Sequence, residues 1–547
     1  MVRKSQLTVV TPTEAARSPV DVSRAFSEAM LKLGSSETSR SLALVDATAS
    51  DGGSSARGVK ELLSTRGYAV LESRYDVRLH SPSPPPLQCE VPPQRILQMT
   101  GLLAFCFFTV CGGPDGSENI VTAGGPLAGL GGMLAVTLVF YLPLAYIVAE
   151  VASALPVSGG HAYWVALAFG PGWGFQAGYW SWISNCVDCA MYAAMTVDSF
   201  SKSSSTFRNS FVEFLCKSTF ALVLALPGLW SLRVVGTILL VMTALMVASY
   251  AVVSIWAAAE AEHWSVLGDV RYANSTESPT TSPALVEIDW KRLLSILLWC
   301  FGGFFNLSVY AGHIIDPAQS YRRVVWLSTM LILLTYLIPT LTLAAVNEPD
   351  WHTWEEGSMN DVIKFVGGKG VVAWMVAVDF IGSAGLYFVS LLTSAYLANG
   401  MAKQNLIPAS IGLSNAQSSP RWAIAGSLVV ILIMVNLEYD AMLPVANTLA
   451  GLEVIALIAA SIRLRWVLPN LPRPVKFWGN APVVFPAISL IVPMVAYGFA
   501  VIDAFRALNS GVVAAALLVI GVIYGCRADF SSFQQTADAI EALEETV

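Results

Sequence analysis

The chain has 547 residues, 55% of them hydrophobic and only 13% charged, with a formal net charge of −7. Soluble proteins carry roughly 25% charged residues, so this shortage, spread over several long apolar runs, excludes the soluble classes and describes a polytopic membrane protein. The acidic balance lacks the basic footprint of a nucleic-acid partner, and eight cysteines over this length form no disulfide framework.

Residues 1–94 are rich in serine, mix both charge signs and include Pro82-Ser83-Pro84-Pro85-Pro86. That composition predicts a disordered cytosolic tail, and no secretory signal is expected ahead of the first apolar run near residue 96. A bilayer span takes about 20 apolar residues, and by that length the chain offers about twelve. They fall near 95–127, 129–154, 172–200, 214–231, 233–257, 292–315, 324–346, 370–400, 420–437, 440–463, 481–503 and 510–526. Residues 95–526 therefore read as one all-α transmembrane domain, followed by a cytosolic tail at 527–547. The segment 162–169, closed by Gly170-Pro171-Gly172, is too short to cross and is expected to lie along or dip into the cytosolic face.

The first span is interrupted. Residues 112–118 read Gly-Gly-Pro-Asp-Gly-Ser-Glu, between an uncharged run at 96–111 and its resumption at 119–130. Hydrocarbon cannot satisfy freed backbone groups, so such a break is tolerated only where it lines a protein-enclosed cavity. Broken helices are where many secondary transporters hold a small charged solute on exposed backbone ends. Gly112, Gly113, Asp115, Gly116 and Glu118 are accordingly candidate substrate ligands. Glu118 opens the second half-helix, where a carboxylate serves either as a cap on the helix dipole or as a ligand or proton site. Asp115 fits an Asx turn equally well.

The sixth span holds a second interruption, Trp299 to Asn306, with Gly302 and Gly303 adjacent and Trp299 and Phe304 as aromatic walls. A glycine pair in a membrane helix is also a close-packing device. Breaks in spans one and six, five spans apart, are what an inverted five-plus-five repeat predicts.

Ionisable groups inside spans are functional candidates by default. Besides Asp115 and Glu118 they are Glu150, Asp188, Asp198, Asp379 and Glu453, and no lysine or arginine lies deep in a span to pair with them. Glu150, Asp188 and Asp198 are candidates for coupling or gating, Glu150 near the cytosolic end as an inner gate or packing residue. Cys186 and Cys189 form a CxxC without a second pair, which reads as small packing residues, and no metal or other cofactor is expected. The five histidines stand near no serine or cysteine nucleophile in the sequence, so an enzyme is not expected.

Lysine and arginine in short loops orient the chain. With a cytosolic amino terminus, Arg233, Arg322, Arg323, Lys403, Arg421, Arg463, Arg465, Arg473 and Lys476 fall inside, and both termini do too. Glu348, Asp350, Glu355, Glu356, Asp361, Glu438 and Asp440 then fall outside, as does the glycosylation motif Asn274-Ser275-Thr276.

Residues 112–200 resemble the amino acid/polyamine/organocation superfamily, and within it the plant-type polyamine uptake transporters and their protist relatives. The resemblance rests on GGPDGSENIVTAGGPLAGLGG from 112, on AEVASALPVSGGHAYWVALAFGPGWGFQAGYWSWISNCVDCAMY from 149, and on VDSF from 197. YAGHIIDPAQSYRR (310–323), GMAKQNLIP (400–408) and RLRWVLPNLPRP (463–474) extend it through most of residues 95–505. It implies a LeuT-like fold of ten core helices plus two, with helices one and six broken, working by alternating access. It places Tyr192, with Glu118, Asp188 and Asp198, at family positions in the substrate site or its supporting shell.

The chain departs from the polyamine branch at Asp115, at Gly302 and Phe305, at His313, and at Phe388, Ser390 and Ser394, where acids or aromatics of that branch are missing or replaced. An amino acid is therefore as good a substrate as a polyamine. The expectation is a proton-coupled symporter in the plasma membrane that imports one of these small molecules through the lipid bilayer. Sodium coupling, for which the resemblance offers the span-eight hydroxyls Ser383, Ser390, Thr393 and Ser394, and exchange are the alternatives to the proton. A nutrient-sensing receptor on the same fold is the alternative.

Overall fold

The computed structural model describes residues 95–531 and 533, apart from 115, 202–209, 272–287, 356, 414–418, 438, 478, 480–483 and 506–507. The tail expected at 1–94, most of that at 527–547, Asp115 and the motif at 274–276 lie outside the described residues.

Among the described residues the chain is helical, with no strand beyond one isolated bridge. Among the described residues, eight helices are long and apolar enough to cross a membrane. Shorter apolar helices at Met99–Phe108, Arg421–Met434 and Ala487–Ile502 lie where the sequence marks three further spans.

Helix α1 (Met99–Phe108) ends in the first break, and α2 (Glu118–Gly124) resumes after it. Gly125, at φ +84°, turns the chain into α3 (Pro126–Ala135), which starts on a proline whose missing N–H costs nothing at that position. A π-helical stretch, Val136–Tyr141, carries α3 into α4 (Leu142–Ala154). The short segment expected at the cytosolic face is α5 (Gly160–Phe169), bounded by Gly159 and Gly170, both with positive φ.

Helix α6 (Pro171–Ser201) runs for 31 residues but is not among the eight apolar spans, because Ser181, Ser184, Asn185 and Asp188 stand along it. Helices α7 (Ser210–Ala225) and α8 (Leu232–Glu260) follow. The sixth expected span is α9 (Trp290–Cys300), the second break, and a ten-residue 3-10 helix, Phe304–His313. Next come α10 (Pro317–Val346) and α11 (Ser358–Lys403), which kinks at Gly368 (φ 73°), so the span read at 370–400 is its second part. The remaining helices are α12 (Arg421–Met434), α13 (Tyr439–Val467), α14 (Val484–Ser489), α15 (Ile491–Ala504) and α16 (Leu508–Arg527).

Two packing groups position the site. Helix α6 lies against α11 and α13, while α1, α8 and α10 pack on one another. The two broken segments are also tied outside their breaks. The Ile96 and Leu97 amides both donate to His313 O at 3.0 Å, and the Ile315 amide donates to Leu97 O at 2.9 Å. The entrance to α1 and the exit from the 3-10 helix thus share a short parallel bridge.

Candidate functional site between the two broken helices

The interruptions meet backbone to backbone. Gly303 has φ +110°, and a Cβ there would sit 2.1 Å from Thr109 O, so only glycine lets the second break lie against the first. On its far side the first break seats on α11. A Cβ on Gly382 would lie 1.9 Å from Gly112 O, and one on Gly113 would meet the Tyr250 ring at 3.2 Å. The Tyr250 hydroxyl in turn donates to Asp379.

Tyrosines take up several carbonyls near the breaks, as a dry interior requires. Tyr141 donates to Leu298 O at 2.7 Å, Tyr336 to Val110 O at 3.3 Å, and Tyr321 to Leu307 O at 2.6 Å. Tyr141 stands at the end of the π-helical stretch, and its hydroxyl is also 3.2 Å from that of Tyr497 on α15.

Between the breaks lies a cavity of about 40 Å³. Its walls are Thr109 and Val110 from the first break, Leu298, Trp299, Gly302, Gly303, Phe305 and Asn306 from the second, and Ser184, Asn185, Asp188 and Tyr192 from α6. Ser390 of α11, Ala446, Asn447 and Ala450 of α13, and Tyr497 close it. Among the described residues, Asp188 is the one acid on these walls, and it keeps part of its surface open. Tyr192 and Trp299 line the same space, with their rings 6.3 Å apart. A carboxylate flanked by aromatic faces is suited to a primary ammonium, which gains both a charge pair and a cation–π contact.

Of the residues marked by the sequence, Asp188, Tyr192, Trp299, Gly302 and Gly303 therefore share one cavity. Gly112 and Gly113 face α11 and α8 instead, and a Cβ on Gly116 would come no nearer than 3.9 Å to Trp299. Phe304 is fully buried beside Tyr141, and Phe305 takes the wall position, because the turn at Gly303 rephases the segment. Glu118 is fully buried and accepts the Gly357 amide at 2.6 Å. It receives an N–H at the amino end of α11 rather than facing the cavity. Of Asp198 only its place in α6 is described.

Sequence reasoning missed the amide pair that joins α6 to the 3-10 helix. Asn185 and Asn306 exchange two hydrogen bonds, each 3.3 Å, 121 residues apart in the chain. It also missed Tyr497 and Asn447, which no local signal marks.

Two expectations are corrected. Glu150 does have a cationic partner: the half-buried Arg465 of α13 donates to both carboxylate oxygens, from Nε at 2.8 Å and from Nη2. Arg473 Nε lies 3.4 Å away and the Phe477 amide donates at 2.8 Å. The partner escaped notice because it is 315 residues distant and lies at the edge of its span.

The second correction concerns His161, which does stand beside a serine. Its Nδ1 is 2.8 Å from Ser308 Oγ, and its Nε2 is 3.2 Å from Glu453 Oε1, although not aligned there as a hydrogen bond. Ser308, His161 and Glu453 are all 0% exposed. A nucleophile must reach its substrate, so this arrangement is not a hydrolytic triad.

A cavity with polar walls between two interrupted helices marks the centre of a helical, membrane-type molecule. The chain belongs to the amino acid permease family, whose model matches residues 102–523. It is 24% identical over 424 residues to the polyamine transporter RMV1 of Arabidopsis thaliana, covering 77% of this chain and 83% of that one. It is similarly 24% identical to the polyamine transporter PUT1 of Oryza sativa subsp. japonica, over 78% of this chain and 77% of the other. A shorter likeness, 24% over 198 residues, joins it to the large neutral amino acids transporter small subunit 2 of Mus musculus, covering 35% and 36% of the two chains. These relatives are transporters by name, and the chain is a multi-pass membrane transporter.

Proposed function

We propose that the protein is a secondary active carrier that imports amino acids or polyamines by alternating access, driven by a proton gradient. The observation that carries this reading is a cavity walled by both helix breaks, with Asp188 among its walls. One carboxylate between Tyr192 and Trp299 suits one primary ammonium, whether that of an amino acid or one end of a polyamine. The Asn185–Asn306 pair and the backbone at Gly302 and Gly303 supply polar groups for the remainder of the solute. The cavity has room for about three waters at ~10–15 Å³ each, so its walls must part before a solute enters, which is what alternation between two openings requires.

The same reading takes the fold as twelve spans in a LeuT-like five-plus-five inverted repeat. It keeps 95–526 as the transport domain, 1–94 and 527–547 as cytosolic tails, and the plasma membrane as its location. The bias of arginine and lysine toward one set of loops supports that orientation. The polyamine names of the long matches and the amino-acid name of the shorter one support the two substrate classes. Uptake by purified protein in liposomes under an inward proton gradient tests the reading, with putrescine, spermidine, arginine, lysine and neutral amino acids compared. Accumulation of at least one ammonium-bearing solute, lost with a proton ionophore, is the expected result. Accumulation of none of them contradicts it.

A further inference from the structure

His161 and Glu453 form an acid–base pair that the cavity does not use directly. His161 is the second residue of α5, Glu453 is in the middle of α13, and Ser308 is in the 3-10 half of the broken span. Ser308 Oγ meets the imidazole at 2.8 Å and accepts the backbone N–H of His161 at 3.3 Å. The backbones are pressed together as well, since a Cβ on Gly160 would lie 2.2 Å from Ser308 O. The 3-10 half therefore cannot leave α5 without breaking both hydrogen bonds to Ser308.

The pair is linked to the cavity through the elements that carry it: Asn306, two residues before Ser308 in the 3-10 half, and Ala450, three residues before Glu453 in α13, are both cavity walls. The titratable groups on the other packed elements are engaged elsewhere or neutral. Glu150 of α4 is held by Arg465, His313 of the 3-10 helix lies edge-on to Tyr396 of α11, and Lys403 of α11 neighbours His313. Cys300 of α9 is a buried free thiol, and Tyr524 of α16 lies against Phe175. No arginine or lysine meets Glu453 within salt-bridge distance among the described residues.

We propose that His161 and Glu453 jointly hold the coupling proton, and that their contact with Ser308 transmits its presence to the broken helix. A neutral imidazole beside a carboxylate leaves one net negative charge in a dry interior, which is costly. Adding one proton removes that net charge, whether the proton sits on the carboxyl oxygen or on the second ring nitrogen. The closed arrangement seen here thus favours the loaded pair. Release returns the proton to water and restores the negative charge, which becomes tolerable only when the packing around α5 and the 3-10 helix opens to solvent. The device rests on the proton-driven reading above and names its site.

The test uses full-length protein in liposomes with radiolabelled spermidine and radiolabelled leucine as probes. Two measurements are made: accumulation under an inward proton gradient, and counterflow exchange with no gradient. E453Q and H161Q are checked by size exclusion, the second variant standing in if the first does not fold. In each folded variant we expect gradient-driven accumulation to fall by about tenfold or more, within the usual range of coupling between sites, and counterflow to fall by less than about threefold, below that range. A folded variant that still accumulates as the wild type does would overturn the assignment while leaving the carrier reading intact. A wild type that exchanges but never accumulates would overturn the proton reading itself, and the role of the pair with it.

Discussion

At the scale of single residues, Gly303 carries the tightest constraint. Its φ of +110° costs an L-residue roughly 1–2 kcal/mol, and the Thr109 carbonyl in the space of its Cβ adds an overpacking cost of about 1–3 kcal/mol. Gly303→Ala should therefore lower thermal stability clearly, measured by fluorescence-detected size exclusion after heating. Gly170→Ala, with φ +96° but open space around it, should lower it less. Glu118 makes a second residue-scale case. Because its carboxylate receives the Gly357 amide rather than lining the cavity, Glu118→Gln should reduce uptake of cationic and neutral solutes equally. A selective loss for cations would place Glu118 in the substrate site after all. The sequence marked Glu118, Asp188 and Gly303 by residue type and position within apolar runs. It could not say which of them face the same space, because the turn at each break reorients every residue after it, as the exchange of Phe304 for Phe305 illustrates.

At the scale of elements, the breaks were legible and their supports were not. Glycine, proline and carboxylates inside an apolar run leave backbone groups that lipid cannot satisfy, so the interruptions at 112–118 and 302–303 are visible in the chain itself. The groups that satisfy the backbone come from elsewhere: Tyr141 from the π-helical stretch for Leu298 O, and Tyr336 from α10 for Val110 O. Partners 157 and 226 residues away leave no local trace. Tyr141→Phe should strand a buried carbonyl at a cost of about 1–3 kcal/mol. The expected result is a lower melting temperature together with reduced uptake, while Tyr146→Phe, in α4 just after it but less buried, should change neither.

At the scale of the whole molecule, composition and span lengths sufficed for a polytopic helical membrane protein, and the match of the permease model over residues 102–523 agrees. Helix α6 is the exception to that reading. It falls outside the eight apolar spans because its polar residues, Ser184, Asn185 and Asp188 among them, are the ones turned to the cavity. The pairs Glu150–Arg465 and His161–Glu453 join helices hundreds of residues apart, and only folding brings them together. What unites these scales is the claim that a solute's ammonium sits on Asp188 between the two broken helices. The most direct test is uptake of the solute the wild type accumulates, measured side by side for wild type and Asp188→Asn at equal amounts of folded protein. Loss of a charge-assisted hydrogen bond worth about 1.5–3 kcal/mol predicts an uptake about 10- to 100-fold weaker at low solute concentration. Asp188→Asn protein that transports as well as the wild type would contradict the account.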